Sequence, residues 1–128
     1  MISEEDVDKI HNLKEEIYAE LIEQEDVSRI EFVEVFHHSK ASDIKVGLIT
    51  TTSEKNINSL SKALEDKVNF NDFDIITTSK DCTNPKPNPE IYQNALRKIG
   101  VSPNEVIAIE DTQVNLSASL SANINSIL

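Results

Sequence analysis

Two adjacent carboxylates, Glu110 and Asp111, followed by the hydroxyl of Thr112, end a short apolar run from Val106 to Ile109. Side by side the two acids repel, so something must compensate the charge. A hard cation such as Mg²⁺, with its water shell, is a natural choice. The alternative is an acidic helix start, with Asp111 or Thr112 capping the next helix and no ligand involved. Lys86 stands between prolines in Asn84-Pro-Lys-Pro-Asn-Pro89, just ahead of a helix. Proline fixes φ and suppresses alternative loop conformations, so a lysine there can be aimed. Its plainer role is that of a solvated loop lysine. Thr50, Thr51, Thr52 and Ser53 follow a second apolar run, Val46 to Ile49, and lead into a helix near Glu54. Hydroxyls beside the N–H groups of a helix N-terminus can cradle phosphate, although Ser and Thr are also ordinary caps.

These groups need strands to hold them. Four apolar residues in a row, as at Val106 to Ile109, read as a fully buried parallel strand, because a half-exposed strand alternates. Ligands of open parallel sheets bind beyond the carboxyl ends of the strands. Further strands are expected at Val46 to Ile49, Phe73 to Ile76 and Ile124 to Leu128. Between them, helices are expected over Glu54 to Leu64 and from about Glu90 to Ile99, the latter stopped by Gly100 at C′. Val114, Leu116, Ala118, Leu120 and Ala122 alternate at period two but also pair at i, i+4. A crossover between parallel strands requires a helix there. Upstream, Ser3 is an N-cap followed by three acids, and Val7, Ile10, Leu13, Ile17 and Leu21 mark an amphipathic helix to about Gln24. Asp26 or Ser28 caps a second helix carrying Phe32, Val35 and Phe36 on one side. Strands alternating with helices make the fold α/β with a mostly parallel, Rossmann-like sheet and flanking helices.

With 128 residues the chain supports one domain with a real core. Its 12 Lys plus Arg against 23 Asp plus Glu, a net charge of -11, argue against a nucleic-acid partner and against an anionic membrane surface. No apolar run approaches the ~20 residues of a membrane span. The acidic start Met1-Ile-Ser-Glu-Glu-Asp lacks an apolar core segment, so no signal peptide is expected. Cys82 is the sole cysteine, which excludes an internal disulfide and suits a reducing cytoplasm. His11, His37 and His38 have no metal-ligand spacing and are expected at the surface.

Hydroxyls after one strand, a Pro-Lys-Pro loop and Glu-Asp after a later strand, in that order, resemble the haloacid dehalogenase superfamily. The likeness is strongest to its cap-bearing sugar-phosphate phosphatases and β-phosphoglucomutase-like enzymes. Lys45-Val-Gly-Leu-Ile-Thr-Thr-Thr52, Pro85-Lys-Pro-Asn-Pro-Glu-Ile-Tyr92 and Val106-Ile-Ala-Ile-Glu-Asp-Thr112 carry it, from about Arg29 to Ile124. The resemblance implies a phosphatase or phosphomutase that transfers a phosphoryl group from a small phosphorylated metabolite to an aspartate. By it, Thr50 and Thr51 bind the phosphoryl group and Lys86 pairs with the phosphate. Asp111 would ligate Mg²⁺ directly, and Glu110 would hold a metal-bound water or an outer contact. A cation and a lysine together neutralise the phosphoryl oxygens during in-line transfer. Residues 1–25 resemble the last part of a helical cap and 26–128 a partial core.

One family motif is missing. The first strand of such enzymes ends in Asp-x-Asp-Gly-Thr, whose first Asp is the nucleophile, and no such stretch occurs in the 128 residues. Asp6-Val-Asp8 belongs to a polar helix start, and Asp72-Phe-Asp74 precedes its strand. The sheet is therefore expected to lack its central strand, exposing edges of two buried neighbours. Asn115 and Asn123 stand where the family has glycine; Asn at the second tolerates a left-handed conformation. The expected account is a fragment of a larger phosphatase, inactive as the isolated chain. The rival is a non-catalytic module that has lost its nucleophile and takes a strand from a partner or a second copy. A flavodoxin-like binding domain is a third reading, weakened by the absence of a Gly-rich dinucleotide turn.

Overall fold

The computed structural model describes residues 3–24, 26, 28 and 30–128, and its second helix begins at Ile30, past both Asp26 and Ser28, the residues expected to cap it. Glu25, the expected end of the cap remnant, and Arg29, the expected start of the core likeness, lie outside the described residues, as do Met1, Ile2 and Val27. The elements are α1 (Glu4–Gln24), α2 (Ile30–Ala41), β1 (Gly47–Leu48), α3 (Glu54–Ala63), β2 (Ile75–Ile76), α4 (Glu90–Ile99), β3 (Ile107–Ile109), α5 (Gln113–Ser121) and β4 (Asn125–Ile127). This is the expected α/β alternation. Two compact units result, one of residues 1–44 with 54–72, the other of residues 45–53 with 73–128.

In the first unit, Ser3 and Asp6 form a reciprocal cap: Ser3 Oγ accepts from the Asp6 N–H at 3.2 Å, and Asp6 Oδ2 from the Ser3 N–H at 3.0 Å. Helix α1 packs on α3 through a face that buries Glu15 and Ile22. The apolar row of α1 is not the packed face. Val7, Ile10, Leu13, Ile17 and Leu21 are all exposed, Ile10 by 64%. Apolar spacing marks one face of a helix, whereas burial of that face needs a surface to meet it. On α2, Phe36 is buried with Phe32 at 6.2 Å between ring centroids. The exposed His37 places Nε2 2.7 Å from the Lys67 carbonyl, and Lys67 Nζ donates to Asp26 at 2.8 Å and to Ser28 Oγ at 2.6 Å.

The second unit carries the strands. They form two parallel pairs, β1 with β2 (Gly47 beside Ile75) and β3 with β4 (Ile107 beside Asn125), and the pairs are not hydrogen-bonded to each other. This is the interrupted sheet expected without its central strand. At the amino end of β1, Asp74 Oδ2 accepts from the Val46 N–H at 2.8 Å, so that acid lies at the end of the sheet away from the candidate site. Gly47 is required by packing, since a Cβ there would meet Ile75 Cγ2 at 2.8 Å.

The core of this unit is built by α4 and α5 against one face of β3. Ile91, Tyr92, Leu96, Ala118, Ala122 and Ile124 are buried, with Ile49, Cys82, Val101, Val106 and Ala108 packed against them. The expected full burial of Val106 to Ile109 is corrected: Ile107 and Ile109 are 72% and 71% exposed. Only the face bearing Val106 and Ala108 meets the helices; the opposite face of the β3–β4 pair meets no helix of this unit. Gly100 stops α4 at φ 69°, its N–H reaching the Leu96 carbonyl at 2.9 Å, and Asn123 takes φ 61° after α5. No described helix is long and apolar enough to cross a membrane.

Candidate functional site

The three strand-end features converge in the second unit. Lys86 lies on the turn before α4, and the Lys86–Pro87 bond is cis. Glu90, the first residue of α4, anchors the chain ahead of that turn. Its carboxylate accepts from the Thr83 N–H at 2.7 Å, the Asn84 N–H at 3.0 Å and Asn84 Nδ2 at 2.7 Å. Asn88 Oδ1 in turn accepts from the Glu90 N–H at 3.0 Å. So the loop is held from both sides of its prolines, and the lysine is aimed rather than solvated.

Those donors, the Thr83 N–H foremost and then the Asn84 amide, hold the Glu90 carboxyl below its ordinary 4.5. A depressed carboxylate contributes stability above its unfolded pKa and loses it as pH falls through the folded value. The loop is therefore expected to loosen in acid, below pH 4.5. Amide exchange at Thr83 and Asn84, corrected for intrinsic rates, should be slow at neutral pH in the native chain and fast in Glu90→Ala. In acid the two should converge.

Lys86 Nζ donates to the Ile49 carbonyl at 3.0 Å, at the carboxyl end of β1, and stands 3.8 Å from Glu110 Oε2 at the end of β3. The side chains of Lys86 and Glu110 are only 7% and 10% exposed. Burial lowers the Lys86 ammonium from its ordinary pKa, opposed by the negative charges of Glu110 and Asp111. The ammonium also lies 4.8 Å from the centroid of the Tyr92 ring. The Tyr92 O–H donates to Glu110 Oε1. Burial, then that bond to Glu110, pushes the Tyr92 phenol far above its usual range, so it stays protonated as a donor.

Thr50 follows Ile49 directly and is placed by Thr77, which is fully buried. Thr77 Oγ1 accepts from the Thr50 N–H at 2.9 Å and donates to the Thr50 carbonyl at 2.9 Å. Thr50 Oγ1 accepts from the Thr52 N–H at 3.1 Å, and among the described residues its O–H donates to no partner. Thr51 is half-buried and makes no hydrogen bond to Lys86, Glu110 or Asp111.

The cap question at Asp111 is settled by its neighbour. Thr112 is the N-cap of α5, its Oγ1 accepting from the Asn115 N–H at 3.3 Å. Asp111 is exposed and places Oδ1 on Asn115 Nδ2 at 2.9 Å, with no hydrogen bond to Oδ2 among the described residues. Asn115, a departure from glycine in sequence, thus orients the carboxylate. Mg²⁺ is ordinarily held through one or two carboxylates, with water filling the remaining positions. No three acid, His or Cys side chains converge among the described residues, but the pair present fits that habit. Asp111 has an open oxygen, while both Glu110 oxygens face other groups, which suits contact through water. Tyr92, Thr77, Asn115 and Glu90 were not singled out by residue type and spacing. For Tyr92 one signal was there: a tyrosine on the buried face of α4 needs a partner for its O–H.

A surface depression of about 470 Å³ on this unit is lined by Lys80, Asp81, Asn94, Arg97 and Lys98, and by none of the candidate residues. It serves the fold instead. Lys98 Nζ meets Asp81 Oδ1 at 2.5 Å, and Asn94 Nδ2 donates to the Asp81 carbonyl at 2.7 Å, tying α4 to the turn after β2.

The chain is similar in sequence and fold to known proteins. The chain is 30% identical over 122 residues to a phosphorylated carbohydrates phosphatase of Thermotoga maritima, covering 93% of this chain and 52% of that protein. It superposes on the crystal structure of a CbbY mutant from Rhodobacter sphaeroides in complex with xylulose-(1,5)-bisphosphate with a TM-score of 0.85 and 28% identity, over 94% of this chain and 54% of that one. A β-phosphoglucomutase from Clostridium difficile aligns with a TM-score of 0.76 and 30% identity, over 98% and 55% of the two chains. The chain spans about half the length of the curated relatives it matches. A family model for haloacid dehalogenase-like hydrolases matches residues 1–128. With that match over its whole length, and strand ends that bring the motif residues together, the chain belongs to the haloacid dehalogenase-like hydrolase family.

Proposed function

We propose that these residues form the phosphate- and metal-handling part of a phosphatase or phosphomutase for a small phosphorylated metabolite, such as a sugar phosphate. The observation that carries this is the meeting of Lys86 with the end of β1, through the Ile49 carbonyl, and with Glu110 at the end of β3. Lys86 binds a phosphoryl oxygen, and the Thr50 and Thr51 hydroxyls bind the others. Asp111 ligates Mg²⁺, and Glu110 holds one of its waters. The cation supplies charge neutralisation on the phosphoryl oxygens. Relatives named for sugar-phosphate chemistry support the substrate class. The 128 residues contain no Asp-x-Asp-Gly-Thr, so this chain alone binds without turning over. Residues 1–25 serve as cap and 26–128 as core. A single free thiol, Cys82, suits a cytoplasmic setting.

Calorimetric titration of Mg²⁺ into the purified chain, with inorganic phosphate present, tests this reading. Asp111→Asn should weaken Mg²⁺ by more than about tenfold. Equal affinity in the two proteins refutes the metal assignment. Hydrolysis of p-nitrophenyl phosphate by the chain, abolished by Asp111→Ala, would refute the predicted lack of turnover.

A further inference from the structure

Tyr92 touches both members of the Lys86–Glu110 pair. Its O–H donates to Glu110 Oε1, and its ring lies 4.8 Å from the Lys86 ammonium. Tyr92 is 2% exposed, on a helix whose neighbouring buried residues are apolar, so its phenol has no competing water. The consequence shows in Glu110. Its other oxygen stays 3.8 Å from Lys86 Nζ, outside hydrogen-bond range, although the two charges are opposite and both nearly enclosed. A carboxylate released from the phenol can close that gap and turn a long ion pair into a charge-assisted hydrogen bond. An ammonium so engaged has less to offer an incoming anion. Of its three N–H groups, one is already on the Ile49 carbonyl.

We propose that Tyr92 is a positioning residue that holds Glu110 away from Lys86, keeping the ammonium available to the oxygen of a phosphate ester or of inorganic phosphate. This rests on the assignment of Lys86 to phosphate made above. The same tyrosine therefore serves two motifs, tethering the acid at the end of β3 and flooring the lysine of the proline loop.

The test is calorimetric titration of inorganic phosphate into the full chain as the native protein, Tyr92→Phe, Glu110→Gln, the Tyr92→Phe/Glu110→Gln double variant, and Lys86→Met. Phenylalanine keeps the buried ring and removes only the hydroxyl. Tyr92→Phe should bind phosphate about tenfold more weakly, the effect of one charge-assisted hydrogen bond gained by the competing carboxylate. Adding Glu110→Gln should restore the affinity, because a neutral amide does not compete for the ammonium. A packing defect would not be rescued in this way. If Tyr92→Phe binds as the native chain does, or if the double variant stays weak, the role of Tyr92 is wrong while Lys86 keeps its assignment. Should Tyr92→Phe fail to fold, Glu110→Gln alone still decides: it must bind phosphate at least as tightly as the native chain, and weaker binding overturns the proposal. If the native chain binds phosphate no better than Lys86→Met, the phosphate assignment itself fails and the role of Tyr92 falls with it.

Discussion

Lys86→Met should remove most of the phosphate affinity of this chain while leaving its affinity for Mg²⁺ unchanged or higher. The methionine keeps the apolar stem that packs beside Tyr92 and deletes only the charge. A hydrogen bond to a charged group is worth about 1.5–3 kcal/mol, so phosphate should weaken by roughly one to two orders of magnitude. The opposite sign for the metal follows from position: the ammonium stands 3.8 Å from Glu110 and contributes positive charge where a cation would approach. Parallel titrations with each ligand measure the split. Equal losses for both ligands would mean that the site has collapsed and that Lys86 is structural; no loss for phosphate would remove Lys86 from the site.

The second large effect concerns a residue with no chemistry of its own. Thr77 is fully buried and uses one hydroxyl to satisfy both the N–H and the C=O of Thr50, each at 2.9 Å. Thr77→Val has nearly the same shape but strands two backbone groups of the half-buried Thr50, each costing up to about 1–3 kcal/mol. A total loss of about 2–4 kcal/mol is expected, a large share of the stability of a small domain. Thr77→Ser keeps the hydroxyl and should cost only about 1 kcal/mol for the lost methyl. Urea unfolding distinguishes them: the midpoint should fall much further for valine, with the slope unchanged. If valine and serine are equivalent, the staple is not what holds the end of β1. Because Thr50 is the residue so held, Thr77→Val should also weaken phosphate binding in whatever fraction remains folded.

Sequence alone determined the features that depend on neighbours along the chain. Helix α4 runs from Glu90 to Ile99 because prolines precede it and Gly100 accepts φ 69° at its end. The first helix starts at its Ser3–Asp6 cap, and Asn123 takes the left-handed turn that sequence allowed it. The order of apolar runs, each ending in hydroxyls or acids, was enough to place Thr50, Lys86, Glu110 and Asp111 at strand ends and loops. The absent Asp-x-Asp-Gly-Thr was enough to foresee an interrupted sheet, found as two separate parallel pairs.

Tertiary structure decided whatever depends on a partner distant in sequence. The apolar row of α1 marked an amphipathic helix, and the full apolar run of β3 was expected to be buried. Burial, however, requires an opposing surface, which among the described residues neither the row of α1 nor the outer face of β3 meets. Whether Asp111 or Thr112 caps α5 could not be read from two adjacent cap-forming residues; the chain direction after β3 gives the Asn115 N–H to Thr112 and leaves Asp111 exposed. Tyr92 meets Glu110 across 18 residues and Thr77 meets Thr50 across 27, separations at which spacing carries no information. Periodicity reports which face a residue occupies on its own element. What stands across from that face is set only when the elements pack.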